Sequence, residues 1–308
     1  MNGGADGGVG VAGEALCELV GHYAHVVAVA PSAAVYDELL SARAFAGRLL
    51  SRGPARLRAD LAVTAGWLSS LLAASATDLG DHAAAVVWCA DTARRGRDAG
   101  HPGLAGWAAL TRALIAWYQG DPVRSAEAAR LGQAETAAGT AAYAKLAAEE
   151  MRCLAMLGDM AGMTDARRRA ASAISRLGPA AASAGVYSVQ AADDPPYTDT
   201  SLLVAGQHAE AAMMTRRIIE TAYPAADREP GNQPTNCART LLILALAAAR
   251  LGEVDEAAAA GPPRLIPAVS CGRRWCSPAS STNPSPRMRP GQSTWRTTEP
   301  ASVFVYSP

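Results

Sequence analysis

His22 and His25 stand three residues apart, a spacing that puts two imidazoles on one helix face where they could share a metal ion. No Cys or carboxylate at ligand spacing completes such a site, so both are read as packing residues. Cys271 and Cys276 form a C-x4-C pair, but a zinc ribbon needs two such pairs. Asp193 and Asp194 are a paired-acid candidate for proton transfer; Pro195 and Pro196 follow at once, and a loop solvated by its own charges is the better account. Arg167-Arg168-Arg169 is a basic run that either meets a phosphate or forms a solvated helix face. No G-x-S-x-G, P-loop, dinucleotide fingerprint or H-E-x-x-H occurs, and the glycines at 3, 4, 7, 8 and 10 follow no strand. No catalytic residue, metal or cofactor is therefore expected.

Aromatic side chains are the stronger candidates. Trp67, Trp107, Trp117, Tyr118 and Tyr143 are the residues expected to line a groove for a partner, because amphipathic rings are enriched where proteins bind. The competing account of each is core packing. His82 and His208 both follow the cap residue of a turn, and that recurrence favours packing.

The elements that position these residues are legible as a repeat. Gly followed by a polar residue recurs at Gly80-Asp81, Gly120-Asp121, Gly158-Asp159, Gly206-Gln207 and Gly252-Glu253, at spacings of 40, 38, 48 and 46 residues. Ala65-Gly66-Trp67 precedes the first pair as Ala105-Gly106-Trp107 precedes the second, at the same separation. Glycine after a helix takes the left-handed conformation without a Cβ penalty, and the polar residue beyond it can cap the next helix. Asp121 followed by Pro122 is the clearest case, since proline at the first helical position lacks only an N–H that has no partner there. Leu68, Leu71, Leu72, Ser75 and Leu79 fall on one helical stripe, as do Trp107, Leu110, Leu114, Trp117 and Tyr118. Self-similarity at such a period predicts an all-α chain of stacked helical hairpins, a TPR-like solenoid with a concave face. Helices are expected near 12–29 and 32–51, then hairpins near 54–99, 102–138, 140–177, 197–222 and 234–260.

Composition agrees with helices. Half of the 308 residues are apolar, only 5% are aromatic, and alanine dominates. Formal net charge is zero, without the basic surplus that phosphate binding needs, so nucleic-acid binding by this chain is not expected. No apolar run reaches the length of a membrane span. The Gly-rich start shows no secretory pattern, and Cys17, Cys89, Cys153 and Cys237 are scattered within helical patterns. A reduced, cytoplasmic protein is expected.

Two ends depart from the helical pattern. Residues 1–13 are Gly-rich and expected to lack structure, leaving 14–260 as the repeat domain. Residues 261–308 hold nine of nineteen prolines and six arginines against Glu299 alone. Either a disordered tail or a reading-frame shift near 261 accounts for that break.

Residues 58–81, with Asp60-Leu61-Ala62, Gly66-Trp67-Leu68-Ser69 and Asp78-Leu79-Gly80-Asp81, resemble the TPR-like region of actinobacterial XRE-type helix-turn-helix transcriptional regulators. So do Ala99-Gly100-His101-Pro102, Tyr118-Gln119-Gly120-Asp121-Pro122 and the run from Ala249 to Ala257. The resemblance covers about 14–260. It implies a sensor part that binds a signal or mediates homodimerisation, while a helix-turn-helix, absent from this chain, reads DNA. A peptide, a partner helix or a small-molecule signal is the expected ligand. A free-standing scaffold of TPR type, unrelated to transcription, is the alternative.

Overall fold

A computed structural model describes residues 3–30, 32–178, 185–189, 194–223 and 235–261. Among these the chain is all-helical, with twelve α-helices and no strand. They are α1 (Gly3–Val29), α2 (Ser32–Arg52), α3 (Arg58–Asp78), α4 (His82–Asp98), α5 (Pro102–Tyr118), α6 (Pro122–Glu135), α7 (Ala141–Met156), α8 (Met160–Ile174), α9 (Thr198–Val204), α10 (His208–Ala222), α11 (Thr235–Leu251) and α12 (Val254–Ala260). Helix α1 begins at Gly3, where an unstructured start was expected. Extending a helix that is already anchored adds one hydrogen bond per residue without a new nucleus, and Leu16, Tyr23 and Val27 anchor it. The Pro/Ser/Arg-rich tail beyond Gly261, with Cys271 and Cys276, lies outside the described residues, as does Asp193.

The turns explain the pairing. Gly80, Gly120, Gly158, Gly206 and Gly252 have φ of 75°, 76°, 77°, 79° and 83°. In the first turn the Gly80 N–H reaches the Thr77 carbonyl at 3.1 Å and the Asp81 N–H reaches Ala76 at 2.9 Å. That is a Schellman closure of α3. Asp81 then starts α4, its carboxylate accepting from the Ala84 N–H at 2.9 Å. Asp121 and Asp159 do the same for α6 and α8, accepting from Arg124 and Gly162. The last two turns keep the Schellman bonds but not the side-chain cap. Glu253 instead pairs with Arg216 at 2.8 Å. Gly100 and His101 build a further such turn between α4 and α5, with the His101 ring as cap acceptor for Leu104.

Each odd-numbered helix from α3 to α7 packs on its even partner and on the next odd helix, and α4 and α6 pack forward on α5 and α7. The even helices make no comparable contact with one another. The alternation lapses once, where α9 contacts α7 and α10 but not α8. Close approach is made possible by small residues. A Cβ on Gly132 would stand 2.7 Å from that of Ala109, so α5 and α6 could not meet as they do. Helix α3 is long and apolar enough to cross a membrane, with mean hydropathy 1.2, but 67% of that window is buried between its neighbours.

Polar clasps tie the helices inside this apolar frame. Asp91 of α4 accepts from Arg43 of α2 at 2.5 Å, from Ser69 of α3 at 2.7 Å, and from Arg94 and Arg95 of its own helix. Burial pushes the Asp91 carboxyl up, but the hydrogen bonds from Arg43 and Ser69 outweigh it and hold it well below the ordinary carboxylate range.

A Cβ on Gly80 would meet nothing within 4 Å, so substitution there tests backbone conformation alone. Gly80→Val is expected to cost at least about 1–2 kcal/mol, and Gly80→Asn less, because asparagine tolerates the left-handed region. Chemical denaturation of both variants checks this; equal stability of the valine variant and wild type would remove the turn assignment.

Candidate functional site: the face of the odd-numbered helices

An offset of eleven residues is three helical turns, which returns a side chain to nearly the same face about 16 Å along the axis. Trp67 and Asp78 on α3 have this offset, as do Trp107 and Tyr118 on α5. On α7, Lys145, Glu149 and Arg152 follow at i, i+4 and i+7. Contacts confirm the alignment and divide it into two rungs.

The first rung is Trp67, Trp107 and Lys145. The Lys145 ammonium lies 5.3 Å from the Trp107 ring centroid, within reach of a cation–π attraction. The rung is occupied by the chain itself. A short 3-10 turn at Gly185–Tyr187, between α8 and α9, carries Tyr187 against both indoles, with centroids 4.9 Å from Trp67 and 4.8 Å from Trp107. Lys145 Nζ donates to the Val186 carbonyl at 2.9 Å.

The second rung takes one or two groups from each odd helix. Arg152 of α7 stacks on Trp117 at 4.1 Å and on Tyr197 at 4.4 Å. It pairs through a short contact with Glu149, which is fully buried and also accepts from Ser125 of α6 at 2.9 Å. The Nε of Arg152 is buried without a partner. Tyr197, just ahead of α9, is the one non-glycine residue with positive φ, 65°, among the described residues. Its left-handed conformation is strained, and the stacking on Arg152 helps hold it. Arg239 of α11 donates to the Tyr118 hydroxyl at 3.4 Å, and Asp78 and Asp199 act on it from farther away.

These groups combine partial accessibility with desolvation by the protein around them. Asp78 is exposed and Lys145, Tyr187, Tyr197 and Asp199 are half-buried, yet burial is the leading cause of a shift in all five. It raises both aspartates and Tyr187, pushes Tyr197 up to about 12, and lowers Lys145 to about 8.

The sequence candidates thus separate. Trp67 and Trp107 meet in the first rung, Trp117 and Tyr118 in the second. Tyr143 lies elsewhere, in a depression of about 310 Å³ formed with Ala138, Arg168, Arg169, Ser172, Ala173 and Arg176. Arg167 pairs with Asp194 through a short contact, Arg168 with Asp165 at 2.7 Å and Arg169 with Glu150 at 2.7 Å, so the basic run is neutralised by its neighbours. Among the described residues no group of three His, Cys, Asp or Glu side chains could hold a metal. Burial raises the Cys89 thiol to about 11 and the Cys153 thiol further, away from a nucleophilic thiolate. Lys145, Glu149, Arg152, Tyr187, Tyr197 and Arg239 were not singled out from the sequence. The signal available was charge at i, i+4 and i+7 within the largely apolar α7.

No protein family, curated protein or solved structure matches the chain. The resemblance to TPR-like regulators therefore rests on the sequence motifs alone.

Two outcomes test this geometry. Lys145, with its proton affinity lowered in the folded state, is protonated in the unfolded chain between pH about 8 and 10.4 but not in the folded one, so stability must rise with pH across that window. Denaturation midpoints at pH about 7.5, below that window, and about 9.5, inside it, should show this rise in wild type and a smaller one in Lys145→Met. Arg152→Met strands the Glu149 carboxylate and is expected to cost about 3–5 kcal/mol, with much of it recovered in the double variant with Glu149→Gln. Urea unfolding of the three variants checks both statements.

Proposed function

We propose that the chain is a non-catalytic, TPR-like sensor module that binds a peptide or small-molecule signal on the face of its odd-numbered helices. The neighbour pattern supports a solenoid: odd helices stack on one side, and even helices stand apart on the other. In such a stack the odd helices line the concave side. The observation that carries the reading is the line of aromatic and charged groups along that side. Asp78, Lys145, Tyr197 and Asp199 remain accessible while protein surrounds them closely enough to shift their proton affinities. Charged groups in a partly desolvated concavity discriminate among ligands more strongly than the same groups on an open surface.

Regulation of transcription enters through the sequence resemblance. In this reading the module contributes signal binding or dimerisation, and a helix-turn-helix outside this chain contacts DNA. Burial-raised thiols and internally paired arginines are consistent with recognition rather than chemistry.

A thermal-shift screen of short peptides and small metabolites against the 308-residue chain tests the proposal. Hits are expected to weaken by about tenfold or more in Arg239→Met, the scale of losing one charged contact at a binding site, and to be unchanged in Arg168→Ala on α8. Hits indifferent to Arg239 but sensitive to Arg168 would move the site to the outer surface and end this reading.

A further inference from the structure

We propose that the Trp67–Trp107–Lys145 rung is a subsite for a short partner segment bearing a tyrosine, and that residues 185–189 fill it as an internal stand-in. The inference rests on the sensor reading and adds the chemistry of the partner and the competition it must win.

The seated segment has the features of a bound peptide. Tyr187 contacts two indoles from different helices edge-on or tilted, the arrangement favoured by ring quadrupoles. Its hydroxyl approaches the Trp67 carbonyl at 3.5 Å. The preceding main-chain carbonyl, that of Val186, is read by Lys145 at 2.9 Å. Val189 is buried against Ala144, Ala173 and Ile174. An aromatic anchor, a main-chain carbonyl captured by a cation and a second apolar anchor two residues on are what a peptide site reads. The two indoles and the cation come from α3, α5 and α7, and the segment, which belongs to none of the α-helices, also packs against α1 and α8. No regular hydrogen-bond ladder holds the segment there. Among the described residues its main chain contributes the Lys145 contact and one turn bond, from the Ser188 N–H to the Gly185 carbonyl at 2.8 Å.

The same geometry supplies a release point. Gly185 has φ of 58°, and a Cβ there would stand 2.1 Å from the Ala24 carbonyl oxygen of α1. Both strain and a main-chain clash therefore forbid any other residue while the segment is seated. Gly185→Ala should lift the segment without altering Trp67, Trp107 or Lys145. Tyr187→Ala should empty the aromatic seat and, by removing that anchor, free Lys145 from the Val186 carbonyl. A partner meets a site whose free fraction is small, so its apparent affinity is the intrinsic one reduced by that fraction.

The probe is the blocked pentapeptide Gly-Val-Tyr-Ser-Val, the chain's own 185–189 sequence. Its binding is followed by tryptophan fluorescence in the full-length chain, with circular dichroism confirming that each variant is folded. Gly185→Ala and Tyr187→Ala are each expected to bind at least about tenfold more tightly than wild type, as removal of a competing occupant requires. The gain should vanish when Lys145→Met is added. A peptide carrying Ala in place of Tyr should not bind. Equal affinity for wild type and both variants, or no binding to folded Tyr187→Ala, overturns the proposal and makes the segment a structural strap. The sensor reading fails separately, when ligands from the thermal-shift screen ignore Arg239. Concentration-dependent dimerisation of Gly185→Ala with no peptide binding would also overturn the proposal, since it assigns the seat to a second copy of the chain.

Discussion

One turn sets the geometry of the molecule. In it a left-handed glycine closes one helix by two Schellman bonds, and the following residue opens the next. The two tasks fall on adjacent positions, so no linker remains in which the helices could swing. Helix direction reverses within two residues at Gly80, Gly120 and Gly158, with φ agreeing within 2° among the three. These three turns close α3 on α4, α5 on α6 and α7 on α8 in the same way, and α3, α5 and α7 then pack on one another while α4, α6 and α8 make no comparable contact. The alignment of Trp67 with Trp107, and of Asp78 with Tyr118, follows from that repetition. Residues far apart in sequence are brought together by backbone conformation before any side chain meets another.

Packing then decides which groups occur on each side. The layers are held by alanine and by glycine at positions such as Gly132, where no Cβ fits against Ala109. Such smooth surfaces bring helices close but specify register weakly, because one small residue replaces another at little cost. The buried polar clasps supply what the alanines do not. Asp91 can be satisfied by Arg43 and Ser69 together only when α2, α3 and α4 are correctly seated. Glu149 makes the same demand of Ser125 and Arg152 across α6 and α7. A slip would strip Asp91 of Arg43 and Ser69 and Glu149 of Ser125, leaving each buried carboxylate only the arginines of its own helix, a penalty larger than that of losing an alanine contact.

The sequence made the scaffold legible and left the site largely unread, for a physical reason. A Schellman turn is local: glycine, then a short polar residue, then an apolar run, all within a few positions. The helix pairs from 54 to 177 and near 234–260 were therefore readable from composition and period. The groups of the two rungs are not local. Arg152 gains meaning from Trp117 and Tyr197, and Arg239 from Tyr118, 121 residues away. Tyr187 sits in a loop without periodicity, so nothing in its neighbourhood announces two indoles from helices more than 70 residues earlier. The aromatic candidates were found because amphipathic rings are enriched where proteins bind, yet they divided into two rungs and, with Tyr143, a separate depression. The Gly-rich start misled for the opposite reason: local propensity argued against helix, and anchoring by Leu16 and Tyr23 overrode it.

The self-occupied rung reconciles two demands on a concave face. A groove that can grip an aromatic partner must present apolar ring surface, and two bare indoles side by side in water invite unspecific association. Filling the seat from the chain's own loop removes that surface while preserving it for exchange. Exchange requires a competitor to match the ring faces and the captured carbonyl and to outweigh the packing of Val189 on α7 and α8 and of the segment on α1. A competitor that offered only hydrophobic area would gain little over Tyr187. One that also reached the second rung, where Arg239 has only a long bond to Tyr118, would make contacts the loop does not make. Selectivity would then come from the difference between the two rungs, with the first setting the threshold and the second deciding which ligand crosses it.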